Sequence, residues 1–297
     1  MSLLAVIVPI AVVVAAGYVL ARRLPVETRT LSRVTIYLFS PCLVFTALVR
    51  LDLARAGGDR LVALIVVHTL ALLALAATAA ALLRLPREER SGLGLCAVLY
   101  NAGNYGLPAS LFAFGQEGFR LATVVYVLSA ILAYSLGIFL ASAGHNTRWR
   151  AAADIFRLPL IYAAAAGLAV GHLGITVPEA LWRPLELMGQ AAIPMLLVAL
   201  GVQLAQAPPA VFGRALWAAG ALRLAASPVL TVLLIPVFGV SGTAAKVAVL
   251  STSMPVAVNA FLLAAQFGTA PAFVASAVVL TTVASFATVS LVLLLLR

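Results

Sequence analysis

Two short polar stretches interrupt otherwise apolar segments, and their residue types suit the binding of a charged ligand. The first stretch is Tyr100-Asn101-Ala102-Gly103-Asn104-Tyr105-Gly106-Leu107-Pro108. The second is Ser251-Thr252-Ser253-Met254-Pro255-Val256-Ala257-Val258-Asn259. Each combines amide or hydroxyl side chains with a proline, which has no N–H and removes a helical hydrogen bond. At membrane depth, such an interruption is tolerated only where the freed backbone faces protein or a water-filled cavity.

The chemistry that these stretches predict is the binding of an anion. Where an interrupted helix restarts, its first N–H groups are unpaired and carry partial positive charge. Proline suits the first helical position, so we expect the second halves to begin at Pro108 and Pro255. Two such N-termini that meet at the bilayer midplane form an anion site without a buried cation. The predicted substrate-binding residues are Asn101, Asn104, Tyr105, Gly106, Pro108, Ser251, Ser253, Met254, Pro255 and Asn259.

A simpler hypothesis stays open beside this one. Proline and glycine are common in membrane helices, and asparagine often serves only to tie helices together. The match between two interrupted segments in corresponding places of the two chain halves favours a transporter binding site.

The composition indicates an integral membrane protein. The chain is 64% hydrophobic and 9% charged, and its mean hydropathy is +1.14. Its net charge of +10 comes from arginines between apolar runs, so we expect no nucleic-acid partner. Cys42 and Cys96 both lie inside apolar runs, which indicates neither a disulfide framework nor a metal site.

About ten apolar segments are each near the length that crosses a bilayer, which predicts an all-α membrane protein. They are Leu3–Ala21, Ser32–Val49, Leu61–Leu83, Gly92–Phe114, Leu121–Ala141, Leu158–Gly174, Leu185–Leu204, Ala215–Phe238, Thr243–Phe267 and Ala272–Leu296.

The order of special residues repeats between the two halves. Pro41 lies near the middle of span two and Pro194 near the middle of span seven, and spans four and nine carry the interruptions. The chain therefore divides into a first repeat of five helices at 1–150 and a second at 151–297. Because each repeat has an odd number of spans, the two copies lie in opposite orientations, as an inverted-topology repeat.

The arginine distribution predicts the orientation in the cell membrane, either an inner or a plasma membrane. Odd-numbered links hold more arginines than even-numbered links, most clearly Arg22, Arg23, Arg29 and Arg33. Positive residues favour the cytoplasmic side, so we expect both termini outside.

Acidic residues are absent from the middle of every predicted span, although the chain has nine. This argues against a proton relay and against a Na⁺ site built on carboxylates, although carbonyls and hydroxyls could still bind the ion. The motifs H-E-x-x-H and G-x-S-x-G are also missing, so we expect no catalytic residue, no cofactor and no metal. His68 in span three is expected to be a packed side chain rather than a catalytic one.

Two basic residues lie inside predicted spans, Arg223 in span eight and Lys246 in span nine. A long basic side chain near a helix end usually extends to the membrane surface, and this is the favoured interpretation for both. The alternative is that one of them attracts an anion.

Together, the order and spacing of these motifs resemble the auxin efflux carrier family of membrane transporters, bacterial branch. The motifs are Pro41, Asn101-x-Gly-x-x-Gly-Leu-Pro108, Ala192-Ile-Pro194 with Gly201-x-x-Leu204, Arg223-Leu-x-x-x-Pro228, and Met254-Pro-x-Ala-Val-Asn259 with Gln266-x-Gly268. The resemblance implies ten spans in a five-plus-five inverted repeat, with broken helices four and nine crossing at the substrate site. It also implies a panel of helices one, two, six and seven beside a transport bundle made of the rest.

The implied function is a secondary transporter, an efflux carrier of small organic anions that works by alternating access. The resemblance includes exporters of indole-3-acetate in plants and of dicarboxylates in bacteria, and the fold resembles that of the bile-acid/Na⁺ symporter superfamily. The long loop of the plant members is missing, because Gly144–Arg157 is short, which argues against auxin as substrate. The alternatives are a Na⁺-coupled organic-anion symporter of the same fold and a non-transporting membrane receptor. The expected partners are a carboxylate substrate and the lipid bilayer, with a homodimer as one open alternative.

Overall fold

The computed structural model describes residues 3–52, 57–141, 159–207 and 210–296, and every regular element within these ranges is helical. The link Gly144–Arg157, and with it the predicted boundary between the two repeats, lies outside the described residues. The helices are α1 Leu3–Arg23, α2 Thr28–Val34, α3 Ser40–Val49, α4 Gly58–Leu82, α5 Arg87–Val98, α6 Leu107–Leu132, α7 Ile138–Ala141, α8 Pro159–His172, α9 Glu179–Ala205, α10 Arg214–Ala221, α11 Ser227–Phe238, α12 Gly242–Thr252, α13 Val258–Phe267 and α14 Pro271–Leu295.

Seven helical segments in the described ranges are long and apolar enough to cross a membrane. They are Ala5–Arg23, Thr30–Val49, Gly58–Leu82, Ala102–Gly137, Glu179–Ala205, Arg214–Phe238 and Pro271–Leu295. The prediction of an all-helical protein with several spans is therefore confirmed. Ten crossings in an inverted repeat stay a prediction, because α5, α12 and α13 have only 12, 11 and 10 residues. Each is too short to cross alone and would have to act as half of a span.

Proline shapes three of these segments through short π-helical turns. Five-residue π turns at 35–39, 102–106 and 222–226 each end two residues before a proline, namely Pro41, Pro108 and Pro228. Proline cannot donate a hydrogen bond, and its ring collides with the carbonyl four residues earlier. A locally wider turn accommodates the ring and still pairs most backbone groups, as membrane helices require.

Helices α1 and α9 pack closely through glycine. An added Cβ at Gly201 would lie 2.0 Å from the carbonyl oxygen of Val14, and one at Gly17 would lie 2.4 Å from that of Val198. Both distances are far below van der Waals contact, so only glycine permits this approach.

Helices α3 and α8 meet in a similar way. An added Cβ at Gly171 would lie 2.6 Å from the carbonyl oxygen of Val49. Helix α9 also contacts α3, so α1, α3, α8 and α9 form one tightly packed group that we call the panel. The panel helices occupy the predicted spans one, two, six and seven.

The outward faces of the helices are apolar. Val12 on α1 is 61% exposed, and Leu233 and Val237 on α11 are 64% and 73% exposed. Apolar side chains in these positions suit contact with lipid chains, which favours a membrane location for the whole helical assembly.

Candidate binding site

The two interrupted segments contact each other directly through their backbones. Helix α5 ends at Val98 and α12 ends at Thr252, and each is followed by a non-helical segment. Asn101 N–H donates to the Pro255 carbonyl at 2.8 Å, and Ala257 N–H donates to the Leu99 carbonyl at 2.9 Å. Tyr100 and Val256 thereby form an isolated antiparallel bridge. Each break thereby satisfies backbone groups that the other break frees, which removes the cost of leaving these groups unpaired.

The first interrupted segment becomes helical again earlier in the chain than its proline predicts. The chain resumes at Ala102 as a π turn, whereas the expected start was Pro108. The reason is that the Asn101 side chain caps this turn, because its Oδ1 accepts the Asn104 N–H at 3.0 Å. Asparagine is among the preferred residues for such a cap. Pro108 then lies at the second position of α6, where its missing N–H is tolerated.

The second interrupted segment becomes helical again later in the chain than its proline predicts. Helix α13 begins at Val258, whereas the expected start was Pro255. Pro255 instead remains extended, because its carbonyl is the acceptor for Asn101 in the other break. The Val256 N–H donates to Thr281 Oγ1 at 3.1 Å, which holds the extended segment against α14.

A cavity of about 890 Å³ lies between the panel and the two breaks. Residues 99–104 and 257–259 line it, and so do Thr28, Ser32, Arg33 and Gln206. Arg33 is the only charged side chain among the described residues that line this cavity. A volume of this size is typical of sites for small organic ligands.

The three predicted asparagines come together at this cavity. Asn101, Asn104 and Asn259 all line it, although Asn259 lies far from the other two in the chain. Asn259 is exposed, Asn104 is half-buried and Asn101 is buried. Amides from both interrupted segments therefore face one space.

The other seven predicted residues are buried and are absent from the described lining of the cavity. They are Tyr105, Gly106, Pro108, Ser251, Ser253, Met254 and Pro255. The ring of Tyr105 packs against Phe286, with 5.6 Å between ring centroids, and Ser253 Oγ donates to the Val249 carbonyl at 2.6 Å. An added Cβ at Gly106 would lie 3.4 Å from Met254 Cγ, so these two residues meet where the breaks pack together. These residues pack around the two breaks and do not face the cavity.

The sequence motifs do not indicate the aromatic and hydroxyl residues that α6 adds to the cavity. Ser129 Oγ donates to the Tyr100 hydroxyl at 2.7 Å, and both residues line the cavity. An added Cβ at Gly103 would lie 2.8 Å from Tyr126 Cε2, so the Tyr126 ring packs directly against the backbone of Gly103. Tyr126 and Ser129 lie in an apolar helix without a recognisable pattern, and only the packing of α6 brings them to the site.

Arg223 is fully buried, so the interpretation that it extends to the membrane surface is wrong. Its Nη1 donates to the Ala97 carbonyl at 2.7 Å, and its Nη2 donates to the Thr252 carbonyl at 2.6 Å. These acceptors lie at the carboxyl ends of α5 and α12, directly before the two breaks. The guanidinium therefore bonds to backbone carbonyls inside the protein instead of extending to the membrane surface. Lys246, in contrast, is half-buried one turn into α12.

A buried polar cluster surrounds the Arg223 guanidinium. Ser227 Oγ donates to the Thr252 carbonyl at 2.6 Å and accepts from Arg223 Nη2 at 2.6 Å. His68 is buried as expected, with its Nε2 3.1 Å from Ser227 Oγ. The guanidinium carbon of Arg223 lies 4.9 Å from the ring centroid of Tyr100, which is a cation–π contact. Because Tyr100 lines the cavity, one aromatic ring separates this cation from the candidate site.

Comparison with known proteins identifies the family to which the chain is similar. Residues 2–152 and 150–293 match the family model described as Membrane transport protein. A protein of Methanothermobacter thermautotrophicus named "Uncharacterized transporter" is 29% identical over 270 residues, which are 89% of this chain and 88% of that protein. A protein of Rhizobium meliloti named "Putative malonate transporter" is 27% identical over 221 residues, which are 70% of this chain and 68% of that protein.

The family match extends over nearly the whole chain, and it confirms the resemblance that the interrupted segments and their prolines indicate. Both relatives carry the name of a transporter. This chain belongs to the Membrane transport protein family, that of the auxin efflux carriers.

Proposed function

We propose that this protein is a secondary transporter that exports small organic anions across an inner or plasma membrane by alternating access. The observation that carries the proposal is the convergence of Asn101, Asn104 and Asn259 at one cavity where two interrupted helices meet. A substrate carboxylate would accept hydrogen bonds from these amides. It would also face the first turn of α13, whose N-cap residue Ala257 makes no capping side-chain hydrogen bond.

The charges around the breaks favour an anion over a cation. A helix N-terminus carries roughly half a positive charge, and two such ends converge here. The buried residues of the described ranges include no aspartate or glutamate that could neutralise them. A bound carboxylate would therefore supply the missing negative charge.

We place the cavity mouth beside the link that follows α1 and the link that follows α9, because Arg33 and Gln206 line the cavity and are exposed. Gln206 Nε2 donates to the Val26 carbonyl at 2.8 Å, which joins these two links. Both are odd-numbered links, and the first is rich in arginine. With these links in the cytoplasm, the cavity would load its substrate from the cytoplasm, as an exporter requires.

The opposite end of the panel is joined to α6. Arg120 Nη1 donates to the Arg50 carbonyl at 3.0 Å, and Arg50 forms an ion pair with Glu186 at 3.2 Å. In alternating access, movement of the transport bundle against the panel would break the Arg120 contact and open this side. The two asparagine-bearing breaks would remain together during the movement.

A short dicarboxylate is the substrate class that we propose. One carboxylate would bind the asparagine amides, and the other would point towards the mouth, where Arg33 is exposed and lines the cavity. A guanidinium at a cavity mouth attracts anions and raises their local concentration. The name of the Rhizobium meliloti relative refers to malonate, which is a short dicarboxylate.

Flux from proteoliposomes tests this function. Purified protein would be reconstituted with radiolabelled malonate inside, and its release compared with that of acetate, succinate and the neutral malonamide. We expect dicarboxylate release well above that of protein-free liposomes. Asn259→Asp, which keeps the side-chain size but adds a negative charge at the site, should abolish it. Absence of flux and of saturable binding for every anion would refute the proposal.

Two other outcomes distinguish the alternatives. Saturable malonate binding without flux would indicate a non-transporting receptor. Flux that requires a Na⁺ gradient at constant ionic strength would indicate a Na⁺-coupled symporter of the same fold.

A further inference from the structure

We propose that Arg223 is a tethered counter-cation for the two interrupted helices, taking the place of a Na⁺ that would otherwise travel with the substrate. The inference rests on the proposed function, because it concerns the ion coupling of the same transport site. It starts from the burial of one guanidinium against the ends of both α5 and α12.

The burial of Arg223 requires compensation that no acidic residue provides. Arg223 is the only lysine, arginine, aspartate or glutamate among the buried residues of the described ranges. A buried charge without a partner is strongly unfavourable. Its hydrogen-bond acceptors are the carbonyls of Ala97 and Thr252 and the hydroxyl of Ser227, and its ring partner is Tyr100. None of these groups carries a formal charge.

The two helix ends supply the compensating charge. Each helix C-terminus carries roughly half a negative charge, so two ends amount to about one. One guanidinium balances this charge while it bonds directly to both ends, at 2.7 Å and 2.6 Å. The positive N-terminal ends on the other side of the breaks remain for the substrate anion.

The acceptors around Arg223 are also the ligand types of a Na⁺ site. In broken-helix transporters, carbonyls at the C-terminal ends of half-helices coordinate the coupling cation. Here two such carbonyls and the Ser227 hydroxyl converge on Arg223 instead. The Ser227 hydroxyl donates its proton to Thr252, so its lone pairs face the guanidinium. A side chain that is covalently attached cannot leave with the substrate, and therefore no Na⁺ is taken up in each cycle.

The position of Arg223 also affects anion affinity. The Tyr100 ring lies between the guanidinium and the cavity, so the positive charge acts on a substrate without touching it. Arg223 is thus a positioning residue that holds both helix ends and raises the potential at the site.

The first test compares Na⁺ with choline at constant ionic strength. For the unaltered protein, we expect the same malonate dissociation constant and the same melting temperature in NaCl and in choline chloride. A Na⁺ requirement for malonate binding, or a melting temperature raised by Na⁺, would overturn the inference.

The second test removes the tethered cation by Arg223→Ser, which leaves an oxygen-lined space. In choline chloride, this variant should bind malonate more weakly by about two- to thirtyfold, the range for interactions with helix dipoles. Na⁺ should raise both its affinity and its melting temperature, because the free ion now fills the space. The matched control is Lys246→Ser, which removes a half-buried basic residue of α12 and should show no Na⁺ effect. An Arg223→Ser protein that binds malonate normally in choline chloride, or that does not respond to Na⁺, would refute the inference.

Should Arg223→Ser not fold in either salt, Arg223→Lys and Arg223→Met decide. The lysine variant keeps the charge and should retain malonate binding, whereas the methionine variant should bind malonate about two- to thirtyfold more weakly. Equal binding by the two would refute the inference. The effect of Na⁺ on the melting temperature of each variant is measured without any substrate. A failure of the proposed function, seen as no anion binding in any salt, is thereby distinguished from a failure of this inference.

Discussion

The three asparagines at the cavity have different local roles. Asn101 is buried, and its Oδ1 already accepts the Asn104 N–H, so part of its function is to cap the π turn. Asn259 is exposed in the first turn of α13, and its amide has no hydrogen-bond partner within the described ranges. A purely structural role accounts for part of Asn101, through the cap within its own segment, but not for Asn259. Substitutions at these two positions should therefore have different effects.

Asn259→Ala should weaken malonate binding without destabilising the protein. A lost hydrogen bond to a charged group costs roughly 1.5–3 kcal/mol, which is about ten- to a hundredfold in the dissociation constant. Asn101→Ala should also lower the free energy of unfolding by about 0.5–2 kcal/mol, because it removes a helix cap. Isothermal titration and thermal unfolding of the same preparations measure both quantities. An unchanged dissociation constant for Asn259→Ala would contradict the assignment.

At the scale of elements, proline and glycine have separate tasks. Prolines 41, 108 and 228 each follow a π turn, and the turn at 102–106 brings Asn104 to the cavity. Glycines instead let helices approach, as Gly17 and Gly201 do between α1 and α9. Glycine therefore allows close packing between the panel helices. Proline instead produces an irregular backbone at the breaks, which can face a ligand.

Gly201→Ala should destabilise the protein, because its Cβ would lie 2.0 Å from the Val14 carbonyl oxygen and would push α1 away from α9. Overpacking of this kind costs roughly 1–3 kcal/mol, and occasionally more. The matched control is Gly220→Ala in α10, where the nearest atom to an added Cβ, Leu280 Cδ2, is 3.9 Å away. There, better helix propensity should raise stability by up to about 1 kcal/mol. Comparable melting temperatures for the two variants would contradict the close packing of the panel.

At the scale of the whole molecule, the orientation in the membrane decides which compartment the cavity faces. We place the mouth at the links after α1 and α9, because Arg33 and Gln206 are exposed and line the cavity, whereas the Arg50–Glu186 ion pair lies at the other end of the panel. Arginine-rich links favour the cytoplasm. The proposed direction of transport therefore depends on a property that labelling can measure.

Cysteines introduced at Leu24 and Leu173 test the orientation. Both residues are exposed, at 55% and 68%. Leu24 follows the carboxyl end of α1 and Leu173 follows the carboxyl end of α8, and these two ends lie at opposite ends of the panel. A membrane-impermeant maleimide added to intact cells should label Leu173→Cys, whereas Leu24→Cys should require permeabilised cells. The unaltered protein is the background control, because Cys42 and Cys96 are buried. The reverse pattern would place the cavity mouth outside and argue against an exporter that loads from the cytoplasm.

The sequence by itself determines the class of the protein and the places where its helices break. An apolar composition permits only a membrane protein, and proline with glycine inside an apolar run interrupts a helix through local sterics and lost hydrogen bonds. Such local effects are readable from Asn101, Pro108, Pro255 and Asn259, and the order and spacing of all the motifs together indicate the family.

Only the tertiary structure decides where the helices resume and what lies behind the breaks. The start of α13 depends on the Asn101–Pro255 hydrogen bond between two distant segments. Arg223 is buried because Ala97, 126 positions away, and Thr252, 29 positions away, present their carbonyls to one point. The contact of Gly201 with Val14 likewise depends on which helices become neighbours. These contacts join positions far apart in the chain, and local propensity carries no information about such pairs.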